Sequence, residues 1–241
     1  MDGLKKCINF GTVHLVLSPT LDNMTPKGDE SLMKPRLFIA TDIFGQQPFV
    51  MKLASDYLEQ GYETLIVSPY NENRRFKSEK DAYQSFVDCG GMDAYIKKLK
   101  VLVAKSETNP IMLGFSAGAS AIWALSGDYQ FSRTLLFYPG QIRHYLEVAP
   151  KSPVRIVFPR AEAHFELTTV INKLHKINGV ESVKTSLEHG FFNPMSLNYS
   201  SEYSAPLNHF LRVWPKLTES ESLTRLERVF TSNGEGRIET C

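Results

Sequence analysis

The sequence predicts an α/β protein, with a mostly parallel central sheet and helices on both of its faces. Three observations carry that reading. From residue 36 onward, short apolar runs alternate with segments whose apolar residues recur at helical spacing. The short runs are apolar throughout rather than at every second position, as strands covered on both faces are. The 241 residues are 42% hydrophobic and 22% charged, enough for one sizeable core. No repeat, low-complexity linker or shift in composition divides them. The expected organisation is one domain over residues 1–217, followed by a C-terminal helix and tail over 218–241.

The elements follow in order. Residues 7–17 read as strand-like, with a hairpin turn at Asn9 to Gly11. Residues 18–35 hold Pro19, Pro26 and Pro35 among Asn, Asp and Gly, and read as an irregular connection. Residues 36–40 suit a buried strand, and Thr41 to Gly45 form the loop after it. Phe49, Val50, Leu53, Ala54, Tyr57 and Leu58 make a helical stripe that Gly61 stops. Residues 64–68 are the next buried strand, and residues 70–81 a polar, basic surface loop. Gly90-Gly91 begins a helix marked by Met92, Tyr95, Ile96, Leu99, Leu102 and Val103. Residues 111–115 are a strand, and residues 121–125 suit a buried helix. Residues 133–138 and 154–158 are further strands, closed by Pro139-Gly140 and Pro159. Leu167, Val170, Ile171, Leu174 and Ile177 mark a helix ending near Gly179. Residues 182–188 alternate Val183, Thr185 and Leu187 inward, as a half-exposed last strand does. Leu207, Phe210, Leu211 and Trp214 stripe a C-terminal helix. The polar remainder holds one short helix through Leu223, Leu226, Val229 and Phe230, then a loose tail.

Composition removes several function classes. The net charge is +1 with no Lys/Arg block, so neither nucleic acid nor an anionic membrane is an expected main partner. No apolar run approaches the ~20 residues of a membrane span. The N-terminus lacks a continuous signal-peptide core. Cys7, Cys89 and Cys241 are few, odd in number and scattered, which fits a reducing, cytoplasmic setting. They lack paired metal spacing, and neither H-x-x-x-H, a Walker A loop nor G-x-G-x-x-G occurs. No metal or cofactor is expected. The expected partner is a small-molecule substrate, and the oligomeric state stays open.

The stretch that carries chemistry is Gly114-Phe115-Ser116-Ala117-Gly118, between the strand at 111–115 and the helix after it. A serine that attacks a carbonyl must stand clear of the sheet on a tight turn. Glycines two residues either side let strand and helix approach closely. The helix points free N–H groups and its positive end back at the serine. A serine also needs a base, and the base an acid. Of six histidines, His189 directly follows the last expected strand and is the best base; His14, His144, His164, His175 and His209 are placed less well. Glu162, just after the strand at 154–158, is the expected acid, with Glu166 the alternative. Ala117 N–H and an N–H from Asp42-Ile43-Phe44-Gly45 would form the oxyanion hole.

These residues resemble the dienelactone hydrolase-like branch of the α/β-hydrolases. The matches are Asp42-Ile43-Phe44-Gly45, Gly114-Phe115-Ser116-Ala117-Gly118, Tyr138-Pro139-Gly140, Glu162 and His189-Gly190-Phe191, in the right order across residues 36–195. The resemblance implies an α/β-hydrolase fold with little or no cap, an ester, lactone or related acyl substrate, and Ile43 as the second oxyanion donor. This chain departs from the name-giving enzymes. Ser116 stands where they have cysteine. Asp42 stands where a glutamate holds their resting nucleophile. Glu162 stands where their triad acid is aspartate. Arg74, Arg75, Arg143 and Arg160 are candidates for their substrate-clamping arginines. Asp42, Phe44, Phe115, Tyr138 and Phe191, with Phe192, are expected to line the pocket. The expectation is therefore a serine hydrolase with a Ser116–His189–Glu162 triad. The alternative is a non-catalytic binding or scaffold protein on the same fold.

Overall fold

The computed structural model describes residues 34–231 and the backbone of a two-residue strand at 14–15. The expected hairpin turn at residues 9–11 and the connection at 18–33 lie outside the described residues. So do Cys7, Cys241 and the last ten positions.

The described strands are β1 (His14–Leu15), β2 (Arg36–Ala40), β3 (Glu63–Val67), β4 (Ile111–Phe115), β5 (Arg133–Phe137), β6 (Val154–Phe158) and β7 (Val180–Lys184). They form one sheet in the order β1-β3-β2-β4-β5-β6-β7. Only β1 runs antiparallel, against β3. Parallel neighbours need crossover connections. α1 (Pro48–Glu59) joins β2 to β3, α2 (Glu79–Asp88) and α3 (Gly91–Val103) join β3 to β4, α4 (Ala117–Ser126) joins β4 to β5, and α5 (Leu167–Leu174) joins β6 to β7, while the link from β5 to β6 holds only a single 3-10 turn at Ile142–His144. α6 (Ser201–Val213) and α7 (Glu219–Thr231) follow the last strand.

Side chains alternate across a strand, so each apolar run feeds two cores. Leu37, Ile39, Leu113, Phe115 and Phe137 pack with α1, α6 and α7. Phe38, Ala40, Met112, Leu136, Ile156 and Phe158 pack with α3, α4 and α5 on the other face.

Two expectations are corrected. The segment 70–81 is not all loop: α2 begins at Glu79, with Ser78 Oγ accepting the Asp81 N–H at 3.1 Å. α2 buries only Ala82 and Phe86, so its apolar stripe is thin. The last strand starts two residues earlier and ends four residues earlier than its alternation suggests. It pairs with β6 only as far as Lys184 opposite Phe158, where β6 ends. Thr185 adds one more bond to the Phe158 carbonyl, and residues 185–188 form a connection before His189.

The short helix expected near the C-terminus is the thirteen-residue α7. Leu226 and Phe230 are buried in the sheet's core. Glu219 pairs with the buried Arg155 of β6 at 2.6 Å. No described helix is long and apolar enough to cross a membrane.

Candidate active site

The elbow is fixed by backbone contacts. Ser116 has φ 48° and ψ −111°, a region most side chains avoid. Its N–H donates to the Phe137 carbonyl at 2.9 Å, which ties the turn to β5. A Cβ at Gly118 would lie 2.3 Å from the Ala40 carbonyl oxygen and 2.5 Å from that of Thr41. At Gly114 it would lie 2.6 Å from Ala119 Cα. Both glycines are therefore required for α4 to sit this close to β2 and β4.

Three side chains distant in sequence meet above the carboxyl ends of β4, β6 and β7, where sites in parallel sheets lie. Ser116 Oγ is 2.9 Å from His189 Nε2, and His189 Nδ1 is 2.8 Å from Glu162 Oε1. With a charged Glu162, Nδ1 carries the proton and donates to the carboxylate. Nε2 is then the acceptor of the Ser116 hydroxyl. Glu162 is mostly buried, and a tight bridge between Glu162 and Phe165 shapes its loop. The alternative acid, Glu166, caps α5 instead, accepting the Thr168 N–H at 3.1 Å.

Two backbone N–H groups flank this array. The Ser116 carbonyl accepts both the Ser120 N–H and the Ser120 hydroxyl. The planar peptide therefore turns the Ala117 N–H the opposite way, out of the start of α4. The Asp42 carbonyl accepts the Gly45 N–H at 3.1 Å, so the Ile43 N–H is likewise turned away from its own turn. The Tyr70 hydroxyl donates to the Ile43 carbonyl at 2.6 Å, and the Tyr95 hydroxyl lies between the Val67 carbonyl at 2.7 Å and the Thr41 carbonyl at 2.9 Å. Both tyrosines fasten this loop.

Asp42 does not hold Ser116. Its Oδ1 accepts the Phe44 N–H at 2.9 Å and its Oδ2 accepts Asn193 Nδ2 at 2.5 Å. Burial pushes its carboxyl up to about 6, against the opposing pull of Asn193, the Phe44 N–H and His189.

A cleft of about 340 Å³ opens over these groups. Asp42, Ile43, Phe44, Ser116, Ala117, Tyr138, Glu162 and His189 line it, with Tyr83, Phe86 and Arg143 among its other walls. Three expected pocket residues are corrected. Phe115, Phe191 and Phe192 are buried and lie outside the cleft lining. Phe115 points to the α1/α6 face of β4, stacked on Phe137 at 5.4 Å, with Phe192 behind it. Phe191 packs edge-on against Tyr138 and Phe230. Of the four arginines considered, only Arg143 lines the cleft, where it donates to the Gly140 carbonyl. Arg74 bonds Ser85 and Glu72, and Arg160 pairs with Glu188. Arg75 is exposed and away from the cleft.

The sequence reading missed Asn193, Tyr70 and Tyr95. Only Asn193 carries a local signal, an Asn-Pro turn pair, and that signal says nothing of its partner.

Residues 23–213 match the profile of the dienelactone hydrolase family. The chain is 28% identical over 177 residues to the uncharacterized protein YczH of Bacillus subtilis (strain 168), covering 69% of this chain and 85% of that one. Its fold is similar to that of a putative dienelactone hydrolase from Klebsiella pneumoniae, with a TM-score of 0.56 at 15% identity over 80% of this chain and 90% of that one. A dienelactone hydrolase-like promiscuous phosphotriesterase, P91, from metagenomic libraries gives a TM-score of 0.51 at 15% identity over 80% and 86%. Such distant likenesses establish the α/β-hydrolase fold.

Proposed function

The chain belongs to the dienelactone hydrolase family and is an enzyme of the carboxylic ester hydrolase kind; from that premise we propose that it cleaves a small ester, lactone or thioester through an acyl-enzyme on Ser116. The observation that carries the proposal is the unbroken chain from Ser116 Oγ through His189 to Glu162, at 2.9 and 2.8 Å.

In the first step His189 Nε2 takes the Ser116 proton as Oγ adds to the carbonyl carbon. Glu162 keeps the imidazole in the required tautomer and offsets its new charge. In this reading the developing oxyanion is received by the Ala117 and Ile43 N–H groups, both of residues that line the cleft. The carbon–oxygen or carbon–sulfur bond to the leaving group breaks, and His189 returns the proton to that group. Water, deprotonated by His189, then attacks the acyl carbon. The acid is released and Ser116 regains its proton.

The cleft supports a small substrate. Phe44, Tyr83, Phe86 and Tyr138 give it apolar walls, with Tyr138 packed 5.1 Å from the His189 ring. Burial raises the Tyr138 phenol well above its usual range, so it stays neutral in this role.

A fluorophosphonate probe tests the reading. It is expected to label Ser116 in wild type and to leave Ser116→Ala unlabelled. Turnover of p-nitrophenyl acetate is expected to fall in that variant by about 10⁴-fold or more. An unlabelled, inactive wild type would leave a binding protein on a hydrolase fold.

A further inference from the structure

Asn193 is completely buried, and its polar groups are all engaged. Its own N–H donates to the Gly190 carbonyl at 2.9 Å, and its carbonyl accepts the Ser196 N–H at 2.9 Å. Its Oδ1 accepts the Met195 N–H at 2.8 Å, which fixes which end of the amide faces outward. The remaining group, Nδ2, donates to Asp42 Oδ2 at 2.5 Å, across 151 positions of sequence. Asp42 divides its two oxygens in the same manner. Oδ1 holds the Phe44 N–H inside its own loop, and Oδ2 reaches the other loop.

One side of this bond carries the Ile43 N–H. The other carries His189, whose own carbonyl accepts Asn198 Nδ2 at 2.9 Å from the same knot of chain. The bond therefore joins the loop that would receive the oxyanion to the loop that supplies the base. Neither loop belongs to a helix or strand at this point, so sheet packing alone does not fix their separation.

Resting on the hydrolase reading above, we infer that Asn193 is a positioning residue, which through Asp42 sets the distance between the oxyanion donor Ile43 and the base His189. Its contribution is felt in the transition state, when both loops act on one carbonyl group at once. The ground-state substrate uses that spacing much less.

The test is an exchange of the two side chains. Asn193→Asp alone sets two carboxylates against each other. Asp42→Asn alone sets two amide donors against each other, because the Met195 N–H prevents Asn193 from turning. The double variant Asp42→Asn/Asn193→Asp restores one donor facing one acceptor, and it leaves an acceptor for the Phe44 and Met195 N–H groups. Each form is measured for kcat and KM on p-nitrophenyl acetate, for the rate of fluorophosphonate labelling and for thermal unfolding. The single variants are expected to lose about 10- to 100-fold in kcat and labelling rate, with KM nearly unchanged. The double variant is expected to return to within about threefold of wild type.

Singles that label as fast as wild type overturn the inference. So does a double variant that is unfolded, or that folds and still reacts slowly. If the singles do not fold, the double variant decides alone, by the same criterion. Wild type that fails to label removes the hydrolase reading, and the inference with it. Wild type that labels beside unaffected variants removes the inference only.

Discussion

The elbow at 114–118 and the loop at 189–198 hold the two ends of the same proton path by different means. At the elbow, position is set by what cannot fit. Gly114 and Gly118 leave no room for a Cβ, and Ser116 takes a strained backbone that β5 ties down. At the base loop, position is set by what is bonded. Asn193, Ser196 and Asn198 satisfy the backbone around His189, and one bond reaches Asp42. Steric fit is stiff and indifferent to pH. A hydrogen-bonded knot around a buried carboxylate depends on protonation. The nucleophile is therefore placed by the fold itself, and the base by polar contacts added to the fold.

The strongest way to break this contrast is Gly118→Ala. The new methyl would meet backbone atoms of Ala40 and Thr41, not the end of a flexible side chain. Relief would require α4 to move off the sheet. The expected loss of stability is about 3 kcal/mol or more in urea unfolding, with activity falling alongside it. A loss below about 1 kcal/mol would mean that the elbow yields easily and that its position is not steric.

The next test addresses the polar side. Asp42 titrates from 3.8 when unfolded to about 6 when folded. Between these values the folded chain binds the extra proton. Its contribution to stability is full below about pH 4 and is lost as pH rises through about 6, by up to about 3 kcal/mol. Unfolding by urea across pH 4 to 7 is expected to show this downward slope in wild type. In Asp42→Asn the slope flattens. Parallel curves for the two proteins would show that the buried carboxylate is not what makes this region sensitive to pH.

The same contrast decides what the sequence reveals. Ser116, Glu162 and His189 are legible because each follows a strand-like segment, apolar throughout for the first two and alternating for His189, and in a parallel sheet those ends converge. The close approach of α4 was legible in two glycines. The pocket reading fails at Phe115 because a run that is apolar on both faces hides which face each ring takes, and Phe115 falls on the α1/α6 side. Phe191 and Phe192 follow His189 in a turn, where no periodicity tells which way a ring points, and both enter that same core. β7 was displaced because its alternation outlasts its pairing, which stops where β6 stops. α2 was missed because a helix with two buried residues leaves almost no stripe. Its signal was Ser78 followed by Glu79 and Asp81, an N-terminal cap with acids in the first turn. Asn193 has only its Asn-Pro turn signal, which marks a turn and not a role. Its meaning lies in a partner 151 positions away, and no local pattern encodes that contact.

Gly140 gives the smallest and most selective test, because it lies against the base His189 and the acid Glu162 without belonging to the loop at 189–198 or to the elbow. It follows β5 in the turn at Tyr138, a residue with φ 40°, and its N–H donates to the Tyr138 carbonyl at 2.9 Å. A Cβ there would lie 3.2 Å from His189 Cε1 and 3.6 Å from both oxygens of Glu162. These are side-chain atoms, so the fold can absorb the methyl group by moving the imidazole a few tenths of an ångström. Gly140→Ala is therefore expected to unfold within about 1 kcal/mol of wild type while losing about tenfold in kcat. Gly118→Ala should do the reverse, losing stability first and activity as a consequence. If Gly140→Ala were as unstable as Gly118→Ala, this turn would belong with the rigid elbow. If it kept full activity, the imidazole would have slack. The bonds around His189 would then be holding the chain without setting the reach of its ring to Ser116.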